Sequence, residues 1–115
     1  MKVLVLDDGR GRAEPIKGVF SKKKIDAAVC SASNDFMAAI CAPANFEAVY
    51  INAETWRKGR CIYEYFGAGS RLASKPAVFY NVDETFSPAI AGRQPHEGDR
   101  SFAQPSDIET VVDAL

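Results

Sequence analysis

Apolar residues in this chain come in short unbroken runs, and between the runs they recur at helical spacing. An unbroken run fits a strand covered on both faces, as in a parallel sheet, whereas a half-exposed strand would alternate. Lys2–Leu6, Asp26–Cys30, Glu47–Asn52, Ala77–Tyr80 and the short Ser101–Ala103 are the predicted strands, the fourth introduced by Pro76. A first helix is expected from near Ala13, with Pro15 in its first turn and Ile16, Val19 and Phe20 on its inner face. Ser33 or Asn34 caps a second, which buries Phe36, Ala39 and Ile40. A third spans roughly Arg57–Phe66, buries Ile62, Tyr65 and Phe66, and stops at Gly67-Ala68-Gly69.

The pattern weakens after Val82. Pro88, Gly92, Pro95 and Gly98 allow only a short or irregular fourth helix, over Glu84–Ala91, followed by a mobile loop from Gly92 to Arg100. A fifth helix opens on a capping box, Ser106-x-x-Glu109, and places Ile108, Val111, Val112 and Leu115 on one face. Its periodicity is still running at Leu115, so residues 1–115 are expected to be a single domain, N-terminal in a longer protein. Strands alternating with helices in this way imply βα units on a parallel sheet.

Composition changes this picture little. A chain of 115 residues, 47% hydrophobic and 25% charged, can bury one core. A net charge of −1 gives no footprint for nucleic acid or an anionic membrane, and Lys22-Lys23-Lys24 reads as the solvated end of the first helix. No apolar stretch approaches the roughly 20 residues that span a bilayer, and Met1-Lys2 leads into a strand rather than a signal peptide. The three cysteines, Cys30, Cys41 and Cys61, lack CxxC spacing and read as buried thiols in a reducing cytoplasm. His96, the sole histidine, falls in a polar loop.

The candidate chemistry lies where strands end. The first strand runs into Asp7-Asp8, the third ends in Asn52, the fourth is followed by Asn81, and the fifth by Gln104-Pro105. Asn52 stands 44 positions after Asp8. This layout resembles the CheY-like receiver domain of bacterial response regulators over the whole chain. The resemblance implies a three-layer α/β/α sandwich whose five-stranded parallel sheet has the order 2-1-3-4-5, as in flavodoxin-like folds. In receivers, two acids after strand 1 hold a divalent metal together with an aspartate at the end of strand 3, which accepts a phosphoryl group. A Ser or Thr after strand 4 and a Lys after strand 5 bind the phosphoryl oxygens, since a carboxylate attacking phosphorus needs cations and donors around the transferred group.

Carried onto this chain, the acids are Asp7 and Asp8 and the phosphoacceptor position is Asn52. The hydroxyl position is Asn81, or Val82 if the loop shifts by one, and the lysine position is Gln104, with the proline that usually follows it kept as Pro105. Asn52 is a negligible nucleophile and brings no charge to a metal, and Gln104 cannot pair with a phosphoryl group as a cation does. The resemblance therefore implies a degenerate pseudo-receiver, not an enzyme, that binds another protein without phosphorylation. Asp7 and Asp8 keep at most a weak Mg²⁺ site, and no other cofactor is implied. The partner face would be helix 4, strand 5 and helix 5, from Glu84 to Leu115, with Phe102 and Ile108 as contacts. Trp56, in the loop after strand 3, is a further anchor. A C-terminal output domain is a possible companion; this domain itself is expected to be cytoplasmic, touching neither membrane nor nucleic acid.

Two other readings stay open. One is an atypical receiver phosphorylated at another carboxylate, with Glu54 and Asp83 adding to the acids at the same edge. The other is a small flavodoxin-like cofactor-binding protein, although Asp7–Arg12 lacks the Ser and Thr of a phosphate loop. A dinucleotide fingerprint at Gly9-Arg10-Gly11-Arg12-Ala13-Glu14 fails, because Glu14 stands at the third glycine and Asp7-Asp8 would repel a pyrophosphate. The aromatic relay of receivers is also missing from strand 5, where Ser101 has no ring and Phe102 is out of phase by one.

Overall fold

Side-chain parity along the strands decides how the sheet is covered. In the computed structural model, β1 (Lys2–Leu6) sends Val3 and Val5 to one face and Leu4 and Leu6 to the other, all fully buried. The same division runs through β3 (Ala48–Asn52) and β4 (Ala77–Val82): Tyr50, Val78 and Tyr80 join the Val3 face, while Val49, Ile51 and Phe79 join the Leu4 face. Strands buried on both sides need helices on both sides. With β2 (Asp26–Cys30) and β5 (Arg100–Ala103) they form one all-parallel sheet of order β2-β1-β3-β4-β5, as expected. The structure describes residues 2–8, 13–31, 35–36, 38–39, 46–58, 75–84 and 97–114.

The Val3 face is covered by α1 (Ala13–Ser21) and α3 (Ile108–Ala114), which pack against each other. Ile16, Phe20, Ile108, Val111 and Val112 supply that core, and Phe20 meets Tyr50 edge to face with ring centroids 4.9 Å apart. Phe36 and Ala39, both helical, serve the Leu4 face, where Phe36 is fully buried. The lysine run does end α1. Lys24 takes a left-handed φ of 61°. Its N–H donates to the Ser21 carbonyl at 2.9 Å and the Ile25 N–H donates back to the Phe20 carbonyl at 3.0 Å, the paired bonds that close a helix C-terminus.

Three expected boundaries move. β3 begins at Ala48 rather than Glu47, β4 runs on to Val82, and β5 starts at Arg100, inside the segment read as a loop. The third helix, expected from Arg57, instead starts at once after β3 as α2 (Ala53–Lys58), because Asn52 caps it. The last helix is capped one residue later than the sequence suggests. Asp107 Oδ1 accepts the Thr110 N–H at 2.9 Å, while the Ser106 hydroxyl is engaged elsewhere. Most of the expected fourth helix, Ile62, Tyr65 and Phe66, Ile40, Cys41, Cys61, His96 and Leu115 lie outside the described residues.

Candidate functional site

The same parity that builds the core brings three polar side chains to one row at the C-terminal edge of the sheet. Asp7 continues the Val3-Val5 face one step beyond β1, Asn52 ends the face of Ala48 and Tyr50, and Tyr80 lies beside Asn52 in register. Tyr80 is 1% exposed and Asp7 2%. The Tyr80 side chain crosses the β3 position between them, and its hydroxyl donates to Asp7 Oδ2 at 2.7 Å. A short bond to an ionised carboxylate is among the stronger side-chain hydrogen bonds. Tyr80 is thus both a core aromatic and a polar partner of the first acid.

Asp8 is tied to α2 by a reciprocal pair. The Thr55 hydroxyl donates to Asp8 Oδ1 at 2.7 Å and accepts the Asp8 backbone N–H at 3.0 Å, and Thr55 is 4% exposed. A threonine in the first turn of a helix is usually read as a local cap. Here it reaches across to another loop, which nothing in its sequence neighbourhood announces.

Asn52, 8% exposed, is held by its own oxygen. Oδ1 accepts the Glu54 N–H at 3.0 Å, the bond an N-cap side chain makes to the second helical residue. At the long end of hydrogen bonding it also accepts from Asn81 Nδ2, at 3.5 Å. Asn81 Nδ2 donates more closely to Glu54 Oε2, at 2.9 Å. The backbone of Asn81 is left-handed, with φ 58°, a conformation that asparagine tolerates better than most non-glycine residues. Its N–H donates to the Ser106 hydroxyl at 2.6 Å. Of the two candidates at that corner, Asn81 therefore reaches Asn52, and Val82 packs half-buried against the Leu4 face.

Gln104 stays apart from this network. It is exposed, follows β5, and donates its backbone N–H to the Val82 carbonyl at 2.8 Å. With Val82, Asp83, Glu84 and Ala103 it lines an open groove at the β4–β5 edge. The peptide between Gln104 and Pro105 is cis. Ile108, expected to be a partner contact, is 3% exposed and belongs to the core between α1 and α3, so that role is corrected. The outward residues of that helix are Glu109, Thr110, Asp113 and Ala114. Phe102 is half-buried against the same core. Trp56 belongs to α2 rather than to a loop, because the helix begins at Ala53.

The third oxygen donor beside the two acids is a neutral amide already serving α2, and one oxygen of each acid accepts a hydroxyl hydrogen bond, a modest set for a divalent cation. At the end of β2, burial, with a smaller contribution from the nearby Asp35 charge, pushes the Cys30 thiol up from its ordinary value.

No family model matches the chain, and none of the curated proteins matches it in sequence. Solved structures do match in shape. A response regulator receiver protein from Burkholderia phymatum superposes with a TM-score of 0.66 at 15% identity, over 98% of this chain and 90% of that one. A signal receiver domain of a two-component histidine kinase from Clostridium thermocellum gives a TM-score of 0.69 at 14% identity, over 98% and 92%. The N-terminal domain of a response regulator/sensory box/GGDEF protein from Carboxydothermus hydrogenoformans gives 0.65 at 9% identity, over 98% and 89%. The chain has the receiver fold. At these identities the likeness concerns the fold, and the chemistry must be argued from the residues of the site.

Proposed function

We propose that this protein is a pseudo-receiver: a signalling module that recognises another protein and does not run on phosphorylation. The observation that carries the reading is Asn52. At the end of the strand where a receiver needs an ionised carboxylate, this chain has an amide whose oxygen already accepts the Glu54 N–H. An amide neither attacks phosphorus nor contributes charge to a metal, and Gln104 supplies no cation to offset a transferred phosphoryl group. Glu54 adds an acid at the same corner, 2.9 Å from Asn81 Nδ2, where a phosphoryl oxygen would meet like charge.

In this reading Asp7 and Asp8 are inherited acids turned to structural use, with at most a weak Mg²⁺ affinity. The protein is cytoplasmic, with the partner face on β5, the outward side of α3 and the residues before β5, and with an output domain as one natural companion. Among the described residues no helix is long and apolar enough to cross a membrane. The neighbour from Carboxydothermus, a domain of a multidomain regulator, supports the modular reading.

The test is a ¹H–¹⁵N spectrum recorded with Mg²⁺ and beryllofluoride, a phosphoryl mimic that requires an acceptor carboxylate. The proposal expects amide positions at Asp8, Asn52, Asn81 and Gln104, once set by Mg²⁺ alone, to stay where they are when beryllofluoride is added. Saturable shifts at those residues would sink it and favour an atypical receiver using another acid.

A further inference from the structure

Among the described residues, the C-terminal edge of the sheet includes the β3–α2 junction, the end of β4 and the β5–α3 connection. One residue touches all three. Asn81, at the end of β4, sends its side-chain amide to Glu54 Oε2 at 2.9 Å and to Asn52 Oδ1 at 3.5 Å, both on the β3–α2 junction. Its backbone N–H goes to the Ser106 hydroxyl at 2.6 Å, on the β5–α3 connection. The backbone at Asn81 is left-handed there, with φ 58°.

We propose that Asn81 is a built-in latch through which the chain's own side chains hold these loops in one arrangement. This deepens the pseudo-receiver reading and rests on it for its meaning, because a face that no phosphoryl group switches must be held by the chain itself. The physical content is a coupling. The Asn81 amide and the Glu54 N–H meet on the same Asn52 oxygen, and Asn81 also holds the Glu54 carboxylate, so the start of α2 and the end of β4 are ordered together. The bond to Ser106 extends that order to the residue before the Asp107 cap of α3. A fluctuation that frees Asn81 therefore loosens the α2 start and the α3 entrance in one event, as expected for a local cooperative unit.

The experiment is native-state amide hydrogen exchange on the whole chain, comparing the native protein with Asn81→Gly and Ser106→Ala. Glycine keeps the left-handed backbone and its N–H while deleting the amide, so backbone strain does not confuse the result. In Asn81→Gly, the Glu54 and Thr55 amides should exchange at least about tenfold faster, a loss of about 1.4 kcal/mol of local protection. The central β-strand amides of Val5 and Tyr50 should be unchanged. Ser106→Ala should accelerate exchange at Asn81 and, through the coupling, at Glu54. Unchanged exchange at Glu54 in both variants would overturn the latch, and so would a uniform acceleration across the sheet, which marks a merely structural residue. The measurement uses no phosphodonor. A phosphoryl adduct on the native chain would therefore refute the proposed function without touching the exchange result, and the two failures are separable.

Discussion

Replacing Tyr80 by phenylalanine tests the buried pair at the centre of the site. The ring stays, so packing on the Val3 face is conserved and no cavity opens; what disappears is the hydroxyl that donates to Asp7 Oδ2 at 2.7 Å. Both residues are almost fully buried, Tyr80 at 1% and Asp7 at 2%, so water does not readily replace the lost donor. Hydrogen bonds to charged groups are worth about 1.5–3 kcal/mol, and the carboxylate keeps its burial after the hydroxyl has gone. Tyr80→Phe should therefore destabilise the fold by about 2 kcal/mol. In urea, with a slope of about 2 kcal/mol per molar, the midpoint falls by about 1 M while the slope is conserved. The partner variant Asp7→Ala, which removes the acceptor, closes a double-mutant cycle, in which a coupling energy above about 1 kcal/mol marks direct interaction. A Tyr80→Phe midpoint within experimental error of the native one, with no coupling to Asp7→Ala, would refute the assignment.

Further outcomes follow from other contacts. Thr55→Val removes the hydroxyl shared between Asp8 Oδ1 and the Asp8 N–H, and should cost about 1.5–3 kcal/mol in the same urea assay. Asp107→Ala should cost about 1 kcal/mol through loss of the α3 cap, whereas Ser106→Ala should leave α3 helicity intact by circular dichroism; the reverse order would restore Ser106 as the cap. Lys24→Gly should stabilise by about 1 kcal/mol, since a lysine holds the left-handed closing position of α1, and a lower melting point would contradict that account. Because burial raises the Cys30 thiol, its contribution to stability is complete below the pKa of the unfolded thiol and is lost as pH climbs through the folded value. With Cys41 and Cys61 replaced by serine, native Cys30 should resist alkylation at pH 8 and react on unfolding; rapid native labelling would contradict its burial.

Much of the fold was legible because it rests on patterns of several residues each. The unbroken runs around Leu4, Val29, Val49 and Val78 announced a sheet buried on both faces, and the Ile108-Val111-Val112 spacing announced a helix lying on it. The candidate site was legible in outline only. Strand ends can be counted from sequence, so Asp7, Asp8, Asn52 and Asn81 come to one edge as expected, with Asn81 rather than Val82 beside Asn52. What holds them could not be read, because it depends on contacts between distant segments. Tyr80 looked like one more apolar strand residue, and parity alone places it in the row of Asp7 and Asn52 once the register is known. Ser106 reads from sequence as a local cap, yet it spends its hydroxyl on another loop, and so does Thr55, which no sequence pattern singles out. The same ambiguity moved the cap of α3 by one residue, since Ser106 and Asp107 are both good caps and only the Asn81 N–H decides between them.

In the proposed function, the amide at position 52 leaves this chain without phosphoryl chemistry. Intact mass after incubation with acetyl phosphate and Mg²⁺ tests it most directly, with Asn52→Asp run alongside as a variant that keeps the cap on α2 while restoring the carboxylate. No phosphoryl adduct is expected on the native chain at any time point. A labile adduct on the native chain, mapped to Asp7, Asp8, Glu54 or Asp83, would contradict it.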